Sequence, residues 1–168
     1  MTDHCLVYNC TVLDDYQNVS REYADWSVLS EKLNLQVINH YIDNQKALVE
    51  QLRNSEIIVI MRERTPFTKA LLEQLPNLKL LVTSGPRNSA IDVTTATELG
   101  IKVCGTCAFK QPPTELTWAL ILGLSRHLVS ENKQFRESGP WQSSVGLTLS
   151  GKTLGLLGLG QIGERVAK

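Results

Sequence analysis

Three glycines, Gly158, Gly160 and Gly163, are spaced G-x-G-x-x-G and directly follow the apolar run 153–159. Where such a spacing joins a strand to a helix, the first glycine permits the tight turn and the second lets the backbone approach a pyrophosphate. The third lets helix and strand pack closely. The amides of Gln161 and Ile162 would then face the pyrophosphate at the helix N-terminus. A glycine-rich turn with no ligand is the plain alternative. The acidic partner for the ribose hydroxyls is expected about 20 positions further on, and five residues follow Gly163. A second pattern, Cys104-Gly-Thr-Cys107, is a CxxC that could serve as a thiol redox pair or half of a metal site. No second CxxC or Cys/His pair completes four ligands, and the stretch after it reads as loop, so incidental cysteines compete with that reading. Cys5 and Cys10 fall in or beside the first expected strand, and no disulfide framework is expected. His4, His40 and His127 fall on that strand, at a strand end and on a long helix, and read as packing or surface residues.

The elements that must position these residues follow from hydrophobic periodicity. Apolar runs at 6–13, 35–39, 56–61, 78–83 and 101–104 read as strands. Between them, Tyr23, Trp26, Leu29 and Leu33 share the face of a helix over 19–33. Asp43 caps a second helix carrying Ala47, Leu48, Val49 and Leu52. Residues 68–75 and 92–99 form two more. Five strands alternating with four helices predict a parallel sheet covered by helices, an α/β domain of the flavodoxin-like or Rossmann-like kind. The alternation stops after Cys104. A turn-rich connection leads to a long helix over 114–137, apolar nearly all round in its first half, which predicts burial on every side. The run 153–159 then reads as a further strand ahead of the glycine turn.

Charge and hydropathy exclude several classes of function. Seventeen Lys and Arg balance seventeen Asp and Glu, which removes the electrostatic basis for a dedicated nucleic-acid binder. The longest apolar stretch, 118–124, is far shorter than the roughly 20 residues of a membrane span. The first ten residues lack a basic segment followed by an apolar one, so the expectation is a cytoplasmic protein.

Five segments, in order, carry a resemblance: VLDDYQNV from Val12, MRERTPF from Met61, LPNLKLLVTSGPRNSAID from Leu75, PTELTWALILGLSRHL from Pro113 and GKTLGLLGLGQIG from Gly151. Together they resemble the N-terminal half of the D-isomer-specific 2-hydroxyacid dehydrogenase family over nearly the whole chain. The resemblance implies a flavodoxin-like parallel-sheet substrate domain over residues 1–105, an interdomain linker and long helix over 106–150, and the truncated start of a Rossmann NAD(P)-binding domain over 151–168. It also implies hydride transfer between NAD or NADP and a small 2-hydroxy or 2-oxo acid, and a homodimer in the full-length family. In the family, loop amides after the fourth strand hold the substrate carboxylate, and Ser84 and Gly85 match that position. The usual G-x-G-x-D-x-I-D is altered here, since Arg87 and Ser89 replace the second glycine and the first aspartate, and Pro86 has no N–H. Arg62 and Arg64 follow the third strand at the sheet edge where ligands bind, and a guanidinium suits a carboxylate. Arg62 is the stronger candidate, and Arg64 reads rather as a surface arginine.

The family's catalytic Arg, His and carboxylate lie beyond the glycine motif, so no catalytic residue is expected in this chain. Sixteen residues from Thr153 to Lys168 fall short of one βαβ unit of about 30 residues, which predicts a fragment, inactive alone. A non-enzymatic binding module, or one half of a split enzyme completed by a separate C-terminal chain, are the competing expectations.

Overall fold

The computed structural model describes residues 6–168, and the readings made for His4 and Cys5 lie outside them. The chain divides into two units, one through Ala108 and one over Phe109–Lys168.

The first unit is a five-stranded parallel sheet. Its strands are β1 (Tyr8–Leu13), β2 (Leu33–Val37), β3 (Ile57–Ile60), β4 (Leu80–Thr83) and β5 (Lys102–Gly105), in the order β2-β1-β3-β4-β5. This is the doubly wound flavodoxin-like arrangement, with its topological switch point between β1 and β3. The apolar runs read from the sequence account for the sheet: Cys10 pairs with Ile57 and Leu13 with Ile60, and Ile57 and Ile60 pair onward with Leu80 and Thr83. Leu13, Leu52, Ile58, Ile60, Phe67, Leu72 and Leu81 are almost fully buried and form the core. Phe67 also works through its backbone. Its N–H donates to Ala90 O at 2.8 Å and its carbonyl accepts from Asp92 N at 2.9 Å, joining the segment after β3 to the segment after β4.

Helix α2 (Gln45–Leu52) is capped by Asn44 rather than Asp43. The Asn44 side chain accepts from Lys46 N at 2.9 Å and Ala47 N at 3.1 Å, satisfying two of the helix's orphan donors. Helix α3 (Lys69–Leu72) and helix α4 (Val93–Glu98) follow β3 and β4, and Asp92 caps α4 through Thr95. The helix expected over 19–33 does not form. A single turn, α1 (Ser20–Tyr23), ends where Ala24 turns extended, and a 3-10 turn over Trp26–Leu29 begins afresh. Asp25 starts that second turn, its carboxylate accepting from the amide and hydroxyl of Ser27 at 3.0 and 2.6 Å. A local Asx interaction thus overrides the three-four spacing. Leu33 belongs to β2, and Tyr23 is 85% exposed.

The second unit is helical. Helix α5 (Gln111–Ser125) starts three residues before Thr114, because Pro112 and Pro113 occupy its first turn, where a missing N–H costs nothing. The single helix expected to residue 137 is broken at His127, whose φ of 53° is left-handed, and resumes as α6 (Leu128–Arg136). The burial expected on every side of α5 is not observed. Thr114 is its buried residue, while Leu116, Leu120, Leu122 and Leu124 are exposed, because the unit's own elements offer too little surface to cover them. The segment after α6 is held by Glu131, which accepts from Ser143 N at 2.9 Å, Ser143 Oγ at 2.8 Å and Ser144 Oγ at 2.5 Å. Phe135 meets Trp141 edge-on, with ring centroids 5.8 Å apart. The strand expected at 153–159 is also absent. A strand exists through its ladder, and among the described residues nothing pairs with this run, so Leu157 and Leu159 stand exposed ahead of α7 (Gly163–Val166).

Candidate functional site

The parallel strands of the first unit all end at one edge, and the loops leaving β3, β4 and β5 bring Arg62, Ser84, Gly85, Asn88 and Thr106 together. Arg62 has a left-handed backbone, φ 53°. Its N–H donates to Ser84 Oγ at 3.1 Å and its carbonyl accepts from Asn88 Nδ2 at 2.6 Å. A Cβ on Gly85 would displace the Arg62 guanidinium, and Gly85 itself has φ 96°, a conformation that favours glycine. The guanidinium lies across the Gly85 backbone, solvent-exposed, with Glu63 at 4.0 Å as its loose carboxylate neighbour. Thus Arg62, Ser84 and Gly85, singled out separately in the sequence, form one cluster.

The donors of that cluster differ from the expected ones. Ser84 N donates to Ile60 O at 3.0 Å and Gly85 N donates to Thr106 Oγ1 at 2.9 Å, so both amides are engaged within the fold. The Arg62 guanidinium is the donor group of the cluster that faces solvent. Asn88 fixes the loop: Nδ2 also donates to Thr83 Oγ1 at 3.0 Å, and Oδ1 accepts from Ala90 N at 2.9 Å. Beside the loop lies an open cleft of about 450 Å³, lined in part by Thr83, Arg87, Asn88, Ile91 and Gly105. Sequence reasoning missed Asn88 and Thr106. An Asn in a turn-rich loop and a Thr after the last strand carry no local signal, and the parallel topology alone brings them to Arg62.

Arg64 belongs to a neighbouring cluster at the β1/β3 switch point. Asp14 is fully buried with φ 64°; its carboxylate accepts from Thr65 Oγ1 at 2.7 Å and from Tyr16 Oη at 3.2 Å. Arg64 Nη1 donates to the Asp14 carbonyl at 2.6 Å, and its guanidinium lies 4.3 Å from the centroid of the Tyr16 ring. Burial, then the Asp14 charge and hydrogen bond, raise the Tyr16 pKa, against the lowering field of Arg64. Next along the loop, the Asp15 carboxyl is held below its ordinary range. Burial alone would raise it, but donors from Ser20, Val19 and Asn18 outweigh burial.

In the second unit the three glycines form a turn ahead of α7, without the strand that the motif is expected to follow. Gly158 has φ 90°, a turn closed to most side chains. A Cβ on Gly163 would strike the Gly158 carbonyl, so the first and third glycines pack on each other. Gly160 has open space where a Cβ would stand. Its carbonyl accepts from Glu164 N at 2.9 Å, starting α7, while Gln161 and Ile162 lie between with amides that have no acceptor among the described residues. A close turn, an open backbone and amides at a helix start fit a pyrophosphate.

The CxxC shows no such convergence. Cys104 and Cys107 are exposed free thiols, and among the described residues no three of His, Cys, Asp and Glu gather as metal ligands. Cys10 is buried in the sheet, and burial pushes its thiol up to about 11. His40 is exposed, and His127 is the break between α5 and α6.

The strand order and the division of the chain define an open α/β sheet domain of the flavodoxin-like kind, followed by a second unit that carries the glycine turn. The sequence matches the family described as D-isomer specific 2-hydroxyacid dehydrogenase, catalytic domain, over residues 11–139, and that family's NAD binding domain over residues 118–168. The chain belongs to the D-isomer-specific 2-hydroxyacid dehydrogenase family. It is 34% identical over 144 residues to a hydroxypyruvate reductase of Thermotoga maritima, covering 84% of this chain and 46% of that protein. To a D-3-phosphoglycerate dehydrogenase of Methanocaldococcus jannaschii it is 33% identical, covering 74% of this chain and 24% of the relative. Among solved structures, a phosphoglycerate oxidoreductase from Vibrio cholerae superposes with a TM-score of 0.89 at 40% identity, covering 96% of this chain and 52% of that one. A D-lactate dehydrogenase from Aquifex aeolicus, complexed with NAD and lactic acid, superposes at 0.67 with 26% identity, covering 95% of this chain and 47% of that one. The chain thus spans about half the length of such relatives or less. No helix among the described residues is long and apolar enough to cross a membrane.

Proposed function

We propose that this chain supplies the substrate lobe and the pyrophosphate turn of an oxidoreductase that transfers hydride between NAD or NADP and a small 2-hydroxy or 2-oxo acid. The observation that carries the reading is the convergence of Arg62, Ser84 and Gly85 at the carboxyl edge of the parallel sheet. Ligands of open α/β sheets bind at that edge. Arg62 offers a charge-assisted, fork-shaped donor set for the substrate carboxylate. Ser84 and Asn88 hold its backbone, and the bare Gly85 leaves room for the guanidinium. In the other unit, Gly158, Gly160 and Gly163 would cradle the pyrophosphate, with Gln161 and Ile162 donating amides to it. When bound, the nicotinamide supplies the hydride acceptor or donor. The residues of this chain bind and orient; the acid–base and carbonyl-polarising roles belong to an Arg, a His and a carboxylate that we place outside residues 1–168. A complementing C-terminal chain is one way to supply them.

The test is direct. Residues 1–168, purified, are assayed with NADH or NADPH against a panel of 2-oxo acids, and the expected result is no turnover. Saturable, Arg62-dependent binding of a 2-oxo acid is expected in the same preparation. Turnover without a second chain would overturn the division of roles, and binding unaffected by Arg62→Gln would overturn the site. The binding-module reading gains support if 2-oxo acid binds and a complementing C-terminal half, added in trans, restores no activity.

A further inference from the structure

Cys104 and Cys107, both exposed free thiols, bracket a residue that clasps the Gly85 loop. Between them, Thr106 N donates to Gly85 O at 3.0 Å, and Thr106 Oγ1 accepts from Gly85 N at 2.9 Å. Gly105 pairs with Thr83 as the last residue of β5, and a Cβ there would strike the carbonyls of Gly85 and Pro86. The backbone between the two thiols is thus held against the loop on which the Arg62 guanidinium rests. Cys104 lies in β5, and residues 106–110 run on without a turn or bend. A strand rises ~3.3 Å per residue, so three residues of extended chain span about 10 Å, whereas a disulfide needs its Cα atoms within about 7 Å. The clasped conformation therefore keeps the two sulfurs apart. Bridging them requires the segment to fold into a turn, which Gly105 permits and which draws Thr106 off Gly85.

We infer that Cys104 and Cys107 form a reversible redox pair whose oxidised form releases Gly85 and weakens the carboxylate site, a consequence that rests on the reading of Arg62 as the carboxylate ligand. The oxidant is a low-molecular-weight disulfide. The thiolate of one cysteine attacks it, forming a mixed disulfide and expelling one thiolate. The thiolate of the other cysteine then attacks the protein sulfur, closing the bond between Cys104 and Cys107 and expelling the second thiolate. Two electrons pass to the sulfur–sulfur bond of the oxidant, and the two protons of the protein thiols go to the two expelled thiolates. Clasp and disulfide oppose each other, so the bond is of the strained, exposed and easily reduced kind rather than a permanent crosslink. Cys10 takes no part, because it is buried in the sheet with its thiol pushed up to about 11.

The full 168-residue chain is equilibrated with graded ratios of oxidised to reduced glutathione, and the tryptic peptide 103–110, which holds both cysteines and no other, is read by mass spectrometry. The expected product is that peptide lighter by two hydrogens, reverting with dithiothreitol. Thr106→Ala removes the hydroxyl that accepts from Gly85 N and should raise the equilibrium constant for oxidation about fivefold, the worth of roughly one hydrogen bond. Thr106→Ser, which keeps the hydroxyl, should not. Should Thr106→Ala fail to fold, amide exchange reads the clasp in the unsubstituted chain: the Gly85 N–H should exchange roughly tenfold faster or more in the oxidised form, since its bond to Thr106 is lost. Titration with pyruvate should show weaker binding by the oxidised form, by about fivefold or more, if the lost clasp is worth one hydrogen bond to the site. A glutathione adduct as the end product, a disulfide between two chains, or an internal disulfide that leaves the Gly85 amide protected would overturn the inference. Equal pyruvate affinity in both forms would overturn it too and leave the proposed function standing. No pyruvate binding by the reduced chain would overturn the proposed function, while the disulfide and exchange results would still decide the redox pair.

Discussion

The Arg62 guanidinium occupies the space that a Cβ on Gly85 would fill. The two residues lie in different loops, after β3 and β4, and the fit between them depends on one position having no side chain. Gly85→Ala should therefore act twice. It strains a backbone at φ 96°, at a cost of about 1–3 kcal/mol, and it displaces the guanidinium. Thermal unfolding should show the first effect and titration with a 2-oxo acid the second. Loss of stability with unchanged ligand affinity would separate Arg62 from the site.

Phe67 links the same two loops from beneath. Its ring is fully buried, and its backbone N–H and C=O bond to Ala90 and Asp92. Phe67→Ala should cost about 3–5 kcal/mol, as for other large-to-small core changes. Phe67→Leu, which keeps most of the volume, should cost far less. Urea denaturation of the two variants measures the difference, and similar midpoints would argue against a tightly packed ring.

The parallel strands of the first unit were legible because a sheet covered by helices leaves continuous apolar runs such as Ile57 to Ile60. The start of α2 was legible to within a residue, since Asp43 and Asn44 offer the same capping chemistry and only the three-dimensional turn selects between them. Two features were not legible for a shared reason. The three-four spacing at 19–33 and the apolar run at 153–159 describe what a segment could do with a neighbour, and local Asx bonding in one and the lack of a paired strand in the other decide what it does. Arg62, Ser84 and Gly85 could be singled out from residue type and position. Their mutual contact, and the parts played by Asn88 and Thr106, arise from bringing three strand ends to one edge.

Glu131 ties the segment after α6 to its helix through three donors from Ser143 and Ser144, and these hold its carboxyl down at about 2, with the Ser144 hydroxyl the largest contributor. The sign follows from linkage. A depressed folded-state pKa contributes stability that is present above the unfolded value near 4.5 and is lost as pH falls toward 2. Trp141, which packs on Phe135 in the same segment, is the reporter. Its fluorescence should stay constant from pH 7 to about 5 and change as acid is added below that. Glu131→Gln should abolish the dependence in this window, and an unchanged acid transition in that variant would assign the effect elsewhere.

The cysteines should separate by burial. Cys104 and Cys107 are exposed, whereas Cys10 is enclosed in the sheet with its thiol pushed up to about 11. The thiolate is the reactive form, so at pH 8 iodoacetamide should modify Cys104 and Cys107 quickly and Cys10 only after denaturation. Peptide mapping by mass spectrometry identifies each site. Rapid modification of native Cys10 would mean that the β1 region opens readily.

The second unit exposes more apolar surface than its own helices can cover. Leu116, Leu120, Leu124, Val129 and Leu157 are each more than half exposed, and Leu120, Leu124 and Val129 help line one cleft of about 590 Å³. Contiguous apolar patches beyond a few hundred square ångströms are rare on monomers and mark association surfaces. Zero net charge adds nothing to keep copies apart. Residues 1–168 should accordingly self-associate, eluting above the 18.7 kDa of one chain and binding a hydrophobic dye. Replacing Leu120, Leu124 and Val129 together by serine should shift the population toward monomer while leaving 2-oxo acid binding intact, because Arg62, Ser84 and Gly85 belong to the other unit. A monodisperse monomer that binds no dye would show that the surface is covered by the chain itself.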